Sequence, residues 1–140
     1  MIVLEHYTAN IPPGLYLSDG KLTNTQKESL TVMLDLVKLL MNWAVAVIGA
    51  AGFFLKLTVE KNVPVHKRDM VLVSCIILMS VASLFLGHLV IDKCAQMLAL
   101  DQFPVNSPPV RTLARFQYLV GLGAITLFGF HVFQFFWLRA

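Results

Sequence analysis

The sequence predicts an all-α integral membrane protein with three long transmembrane helices that extend beyond the bilayer on one face into a small helical cap. Three observations carry this prediction. Apolar residues make up 57% of the 140-residue chain and charged residues only 14%, at a mean hydropathy of +0.72. Soluble domains carry about a quarter charged residues and rather less than half apolar ones. The charges also avoid three stretches, residues 39–55, 70–91 and 116–138, which contain no Asp, Glu, Lys or Arg. Each stretch is close to the ~20 residues that a helix needs to cross a hydrocarbon core of about 30 Å. Finally, the helix start and stop signals lie well outside these stretches, and always toward the same face of the membrane.

Residues 1–22 read as an irregular N-terminal segment. Ile11-Pro12-Pro13-Gly14 and Ser18-Asp19-Gly20 carry turn chemistry. Between them Leu15, Tyr16 and Leu17 form an apolar patch that must pack on something or lie at the lipid interface. Met1 to Tyr7 lack the basic and then apolar pattern of a cleaved signal, so the first span is expected to be a retained anchor. The transmembrane domain then occupies residues 23–140, with spans at about 39–59, 70–91 and 116–138.

Thr25-Gln26-Lys27-Glu28 matches a capping box, and predicts a first helix from there to about Lys61, before Pro64. The second helix should begin near Lys67 to Asp69. It should run past Asp92, because Lys93 to Leu100 are good helix formers and the first strong stop is Pro104. Ser107-Pro108-Pro109 predicts the third start, with Ser107 at the N-cap and Pro108 at the first helical position, and this helix should continue to the C-terminus. Each helix overshoots its span on the cap side. The other face holds a tight loop at 56–69 and a two-residue tail. Six basic residues fall within 62 cap-side positions and five within sixteen on the loop side, so charge density favours a cytoplasmic tight loop.

Polar side chains within the spans are the candidate functional groups, because they are costly at membrane depth. On a helical wheel, Asp35, Lys38, Asn42, Ala46, Gly49, Phe53, Lys56 and Glu60 form one stripe of the first helix, opposite Val47, Ala51 and Phe54, which are expected to face lipid. Such a stripe either lets another helix approach through small residues and hydrogen bonds, or lines a water-filled lumen with Lys38 and Lys56 at its mouths. The third helix has a second stripe of Gln117, Val120, Ala124, Leu127, His131 and Gln134. His131 there is either a neutral, hydrogen-bonded packing residue or a lumen-facing, pH-sensitive or quinone-contacting one. His88 and Asp92, at i and i+4 near the cap interface, are candidates for an interfacial switch or a simple ion pair. Ser83-x-x-x-Gly87 is a small-x-x-x-small pattern suited to close helix contact.

Several classes are disfavoured. His88 lies about 6 Å and His131 about 23 Å from the cap interface, so one protomer cannot offer both as axial ligands of one haem. No cofactor is expected, and no metal, since no His/Cys cluster has zinc spacing. Nucleophile-elbow, zincin and phosphate-loop motifs are missing, and no ordinary catalytic domain fits outside the spans, so no enzyme is expected. Nucleic acid is not an expected partner, because the longest basic cluster is His66-Lys67-Arg68. The two cysteines report little: Cys75 reads as a small buried residue, and a protomer cross-link through Cys94 is a minor alternative that needs an oxidising compartment.

One polar stripe can be buried inside a three-helix protomer, but the second needs a neighbour. The expected partners are therefore the lipid bilayer and further copies of the chain, arranged as a ring. By size and span count the chain is similar to three-helix phage holins and to small transmembrane effectors of bacterial antiviral defence, a similarity of hydropathy without a shared motif. It implies a homo-oligomeric pore or permeabilising effector in a bacterial cytoplasmic membrane, gated through the cap. The alternative is a membrane anchor or accessory subunit of a larger respiratory or transport complex, with a hetero-subunit as partner.

Overall fold

The structure, a computed structural model, describes residues 22–60 and 66–137. The expected irregular segment up to residue 21, the connection at 61–65 and residues 138–140 lie outside the described residues. Among the described residues the chain is 90% helical with no strand. Three helices follow in order, α1 Asn24–Glu60, α2 Lys67–Ala99 and α3 Pro108–Trp137. All three are long and apolar enough to cross a membrane. At 37, 33 and 30 residues they reach about 56, 50 and 45 Å, well beyond a hydrocarbon core of about 30 Å. The protein is membrane-embedded, and α2, the central element, packs on both α3 and α1.

The helix ends follow from local chemistry. The α1 capping box is Thr23 with Gln26, two residues upstream of the expected one. Gln26 N–H donates to Thr23 Oγ1 at 3.3 Å, and Thr23 N–H donates to Gln26 Oε1 at 2.9 Å. The sequence holds two overlapping boxes, and the upstream one wins because it satisfies both reciprocal donors while lengthening the helix. As expected, α2 begins at Lys67, with Asp69 in its first turn, where a negative charge favours the helix dipole.

As expected, α2 runs past Asp92 and ends ahead of Pro104, the first strong stop. The helix ends at Ala99 in a Schellman motif, with Gln102 N–H donating to Met97 O at 2.9 Å and Asp101 N–H to Leu98 O at 3.1 Å. Asp101 occupies the left-handed position, at φ 55°, where glycine is usual. Asp101→Gly should therefore stabilise the fold by about 1 kcal/mol, as an upward shift of the unfolding midpoint in mixed micelles, whereas Asp101→Val should lower that midpoint.

α3 begins at Pro108 as expected, and Ser107 O accepts its first helical bond from Arg111 N–H at 3.0 Å. The Ser107 hydroxyl, however, is buried without a partner and does not cap. Pro108 and Pro109 have no N–H, so one of the two donors that an N-cap oxygen normally reaches is missing.

The overshooting ends pack together around a hydrophobic core. Leu30 and Val37 of α1, Val90, Cys94 and Met97 of α2, Val110 of α3 and Phe103 from the connection form it. Cys75, expected to be buried, is exposed on the flank of α2, and Cys94 is buried. Burial pushes the Cys94 thiol, beyond the second span, up to about 11. Only about one part in a thousand is then thiolate at pH 8. A membrane-impermeant maleimide should leave Cys94 unmodified in the folded protein and label it once the cap core is opened by denaturant, which excludes it as a protomer cross-link.

Within the membrane half, α1 docks through Ala44, Val47 and Ala51, all buried. Phe54 meets Phe128, Phe135 and Phe136 of α3 edge-on, with centroids 5.8 to 6.3 Å apart. Val47, Ala51 and Phe54 thus face the protomer interior and not lipid. Small and β-branched residues at these positions let the α1 backbone come close, and the aromatic rings fill the wider space toward the loop end.

Candidate functional site

The outer face of α1 collects most of the sequence candidates. Lys38, Asn42, Ala46, Gly49, Phe53 and Lys56 are all exposed, on the side of the helix opposite its buried residues. Among the described residues no atom stands within 4 Å of where a Cβ on Gly49 or Gly52 would lie, so this side is open. Lys56 pairs with Glu60 at 3.6 Å along the same stripe. All three helices turn large apolar residues outward, Leu39, Trp43 and Val45 flanking the stripe on α1, Leu78, Val81 and Phe85 on α2 and Leu119, Phe130 and Phe133 on α3. Those faces suit lipid, whereas a face of Asn, Ala and Gly suits a protein or aqueous neighbour.

The α3 candidates lie elsewhere. Gln117 is fully buried and His131 is 8% exposed, while Gln134 is half-buried. Gln117 Nε2 donates to Val37 O of α1 at 3.2 Å. Space for the amide comes from Gly87, where an added Cβ would stand 2.5 Å from Gln117 Nε2 and 2.7 Å from Met41 Cγ. One turn further along, a Cβ on Gly121 would stand 3.1 Å from Ser83 Oγ. Ser83 and Gly87 thus form the close α2–α3 contact their spacing predicts. Gln117 and His131 are buried inside the protomer, and of the two polar stripes it is this one that the three-helix bundle covers.

The seam is not fully satisfied. Ser80 Oγ, Ser83 Oγ, Gln117 Oε1 and His131 Nδ1 are buried without hydrogen-bond partners. His88 is exposed on the outer face of α2, and Asp92 accepts a bond from Gln96 Nε2 at 2.8 Å. Gln96 in turn accepts from Lys93 Nζ at 3.0 Å. Asp92 is engaged along its own helix, and the expected His88–Asp92 pair is replaced by this Asp92–Gln96–Lys93 chain.

Sequence reading missed Thr58 and Asp69, which line a pocket with His131 at the loop end of the bundle. Each is the polar member of a polar/apolar pair one turn apart, Phe54 with Thr58 and Asp69 with Val73, and neither pair stands out until the helices are brought together. No family model matches the chain, and neither the curated proteins nor the solved structures hold a significant match to it.

Proposed function

We propose that the chain assembles with copies of itself into a homo-oligomeric pore, with α1 innermost, and acts by permeabilising a membrane, for which a bacterial cytoplasmic membrane is the location we assign. The observation that supports this reading is the outward polar and small stripe of α1, set against lipid-suited outer faces on α2 and α3. A second copy is the occupant that the charges favour. Asp35 and Lys38 stand one turn apart on the stripe, so neighbouring copies in a ring can set opposite charges against each other. Asn42, Ala46 and Gly49 then lie at membrane depth where neighbouring α1 helices meet around the axis, and Phe53 forms an apolar constriction of the kind that gates by dewetting. Because α1 is one helix from the cap core into the membrane, displacing the cap moves the stripe.

The test is the detergent-corrected mass of the solubilised complex, followed by conductance in planar bilayers. A mass of about five or more times 15.6 kDa, with conductance whose ion selectivity shifts toward cations in Lys38→Glu, supports the pore. A monomer, a fixed complex with another chain, or a silent bilayer overturns it, and the second of these outcomes would make the chain an accessory subunit.

A further inference from the structure

The outer groove between α1 and α3 carries two cations where the chain meets the lipid headgroups. Arg115 is the last charge before the uncharged span that opens at Phe116, and Arg111 lies one turn further out. That turn is about 6 Å, close to the thickness of the polar layer that flanks a hydrocarbon core of about 30 Å. Both side chains are exposed, and among the described residues neither makes an ion pair. The helix end adds to the positive charge. Acids are favoured in a first turn because the helix dipole is positive there, yet α3 has none and places Arg111 in it. Asp35, level with Arg115 by the register of Gln117 on Val37, lies on the α1 stripe, about 100° round that helix from the line facing α3.

Contacts deeper in the membrane place the groove. Phe54 of α1 meets Phe136 of α3 with ring centroids 6.3 Å apart. Residues eighteen apart in an α-helix return to the same line, so Tyr118 lies on the line of Phe136 and Leu36 on that of Phe54. Arg111 and Arg115 fall within about 60° of the Tyr118 line, and Trp43 within about 20° of the Leu36 line. The opposite flank of α3 carries Gly123, whose Cβ would meet Met79 of α2. Arg111, Arg115 and Tyr118 therefore border α1. Leu36, Trp43 and Tyr118 are each about half exposed. From the cap inward the groove offers two guanidiniums, then a phenol, then an apolar wall, which is the order of phosphate, ester and acyl chain in a phospholipid.

We infer that this groove binds one phospholipid of net negative headgroup. Arg111 and Arg115 converge on its phosphate, the Tyr118 hydroxyl donates to the ester region, and an acyl chain lies along Leu36 and Trp43. The planar fork of arginine matches a phosphate, where lysine offers a point charge. A zwitterionic lipid brings its own ammonium to the same phosphate and gains less. The site needs only that the protein sits in a bilayer, so it stands apart from the pore reading.

The experiment reads Trp43 by fluorescence in the full chain carrying Trp137→Phe, which leaves Trp43 the sole tryptophan. The protein is reconstituted in phosphatidylcholine vesicles, and acyl-brominated phosphatidylglycerol or acyl-brominated phosphatidylcholine replaces an increasing share of the lipid. Bromine quenches an indole it touches, so the two curves give the relative affinity at the groove. Phosphatidylglycerol should be preferred about tenfold. Arg111→Gln with Arg115→Gln should abolish the preference, and Arg111→Lys with Arg115→Lys should lose most of it. Lys93→Gln, across the bundle on α2, should leave it unchanged. A parent preference below about twofold overturns the proposal. So does a preference kept in full by the glutamine pair, or by the lysine pair, which would make the attraction that of any cationic surface. Loss of the preference in millimolar inorganic phosphate overturns it in favour of a soluble anion. A glutamine pair that loses oligomer mass while keeping its lipid preference overturns it in favour of a contact between copies. If the glutamine pair does not fold, the parent curves with and without phosphate decide it.

Discussion

Gly87→Val should cost about 3 kcal/mol of stability, and should do so by separating α2 from α3 and α1 together. The glycine sits where three helices converge. A Cβ there would stand 2.5 Å from Gln117 Nε2, 2.7 Å from Met41 Cγ and 2.9 Å from Met41 Sδ. Gln117 would have to give up its bond to Val37 O, and Met41 would have to move within a packed interface. The control is Gly123→Ala, whose Cβ would meet closely only the flexible end of Met79. That change should be near neutral, because the yielding methyl is offset by the roughly 0.5–1 kcal/mol gained when a helical glycine is replaced. Gln117→Met should also fall within about 1 kcal/mol of the parent, since it removes a modest hydrogen bond together with the unpartnered Oε1. Reversible unfolding in mixed detergent micelles would rank the three. A Gly87→Val midpoint no lower than that of Gly123→Ala would mean that the glycine is not the point of close approach.

What the sequence showed of this fold depended on how local the signal was. The three helices were legible because charge avoidance and start signals act within a few residues, as at Lys67 and at Ser107-Pro108. The errors lie where a choice is settled by packing. The first helix start is a local exception, since Thr23 with Gln26 prevailed over Thr25 with Glu28 by satisfying both reciprocal donors while lengthening the helix. Asp101 takes a left-handed conformation, and Gln102 and Phe103 beside it are buried under the cap. The facing of the polar stripes was the largest gap. Hydropathy scores Asn42 and Gln117 alike, yet Gln117 turned inward because Gly87 leaves it space and Val37 O receives its amide, whereas Asn42 stayed outside. The pocket around His131 was invisible for the same reason, since its polar groups come one from each helix.

Gly49→Leu should separate the stability of the protomer from that of the assembly, with opposite signs. Among the described residues of one protomer nothing lies within 4 Å of the Cβ position, and Gly49 is exposed on the stripe. Leucine there removes the flexibility penalty of a mid-helix glycine and should raise protomer stability by about 0.5–1 kcal/mol. In the ring the same side chain projects from the face where copies meet. Close approach of membrane helices depends on small residues there, so the oligomer peak should be replaced by protomer and conductance lost. Asn42→Leu should act in the same direction through a different term, the loss of an inter-protomer hydrogen bond of about 1–2 kcal/mol, with the protomer itself unharmed. Leu78→Ala, on the lipid-suited face of α2, should leave the mass unchanged. Detergent-corrected light scattering on the four proteins, with unfolding midpoints from the same preparations, reads both quantities. A Gly49→Leu protein that keeps the parent mass would remove α1 from the interface. One that loses both mass and midpoint would show the glycine to be needed by the protomer fold itself, because a side chain entering open space has no other route to destabilise a single copy.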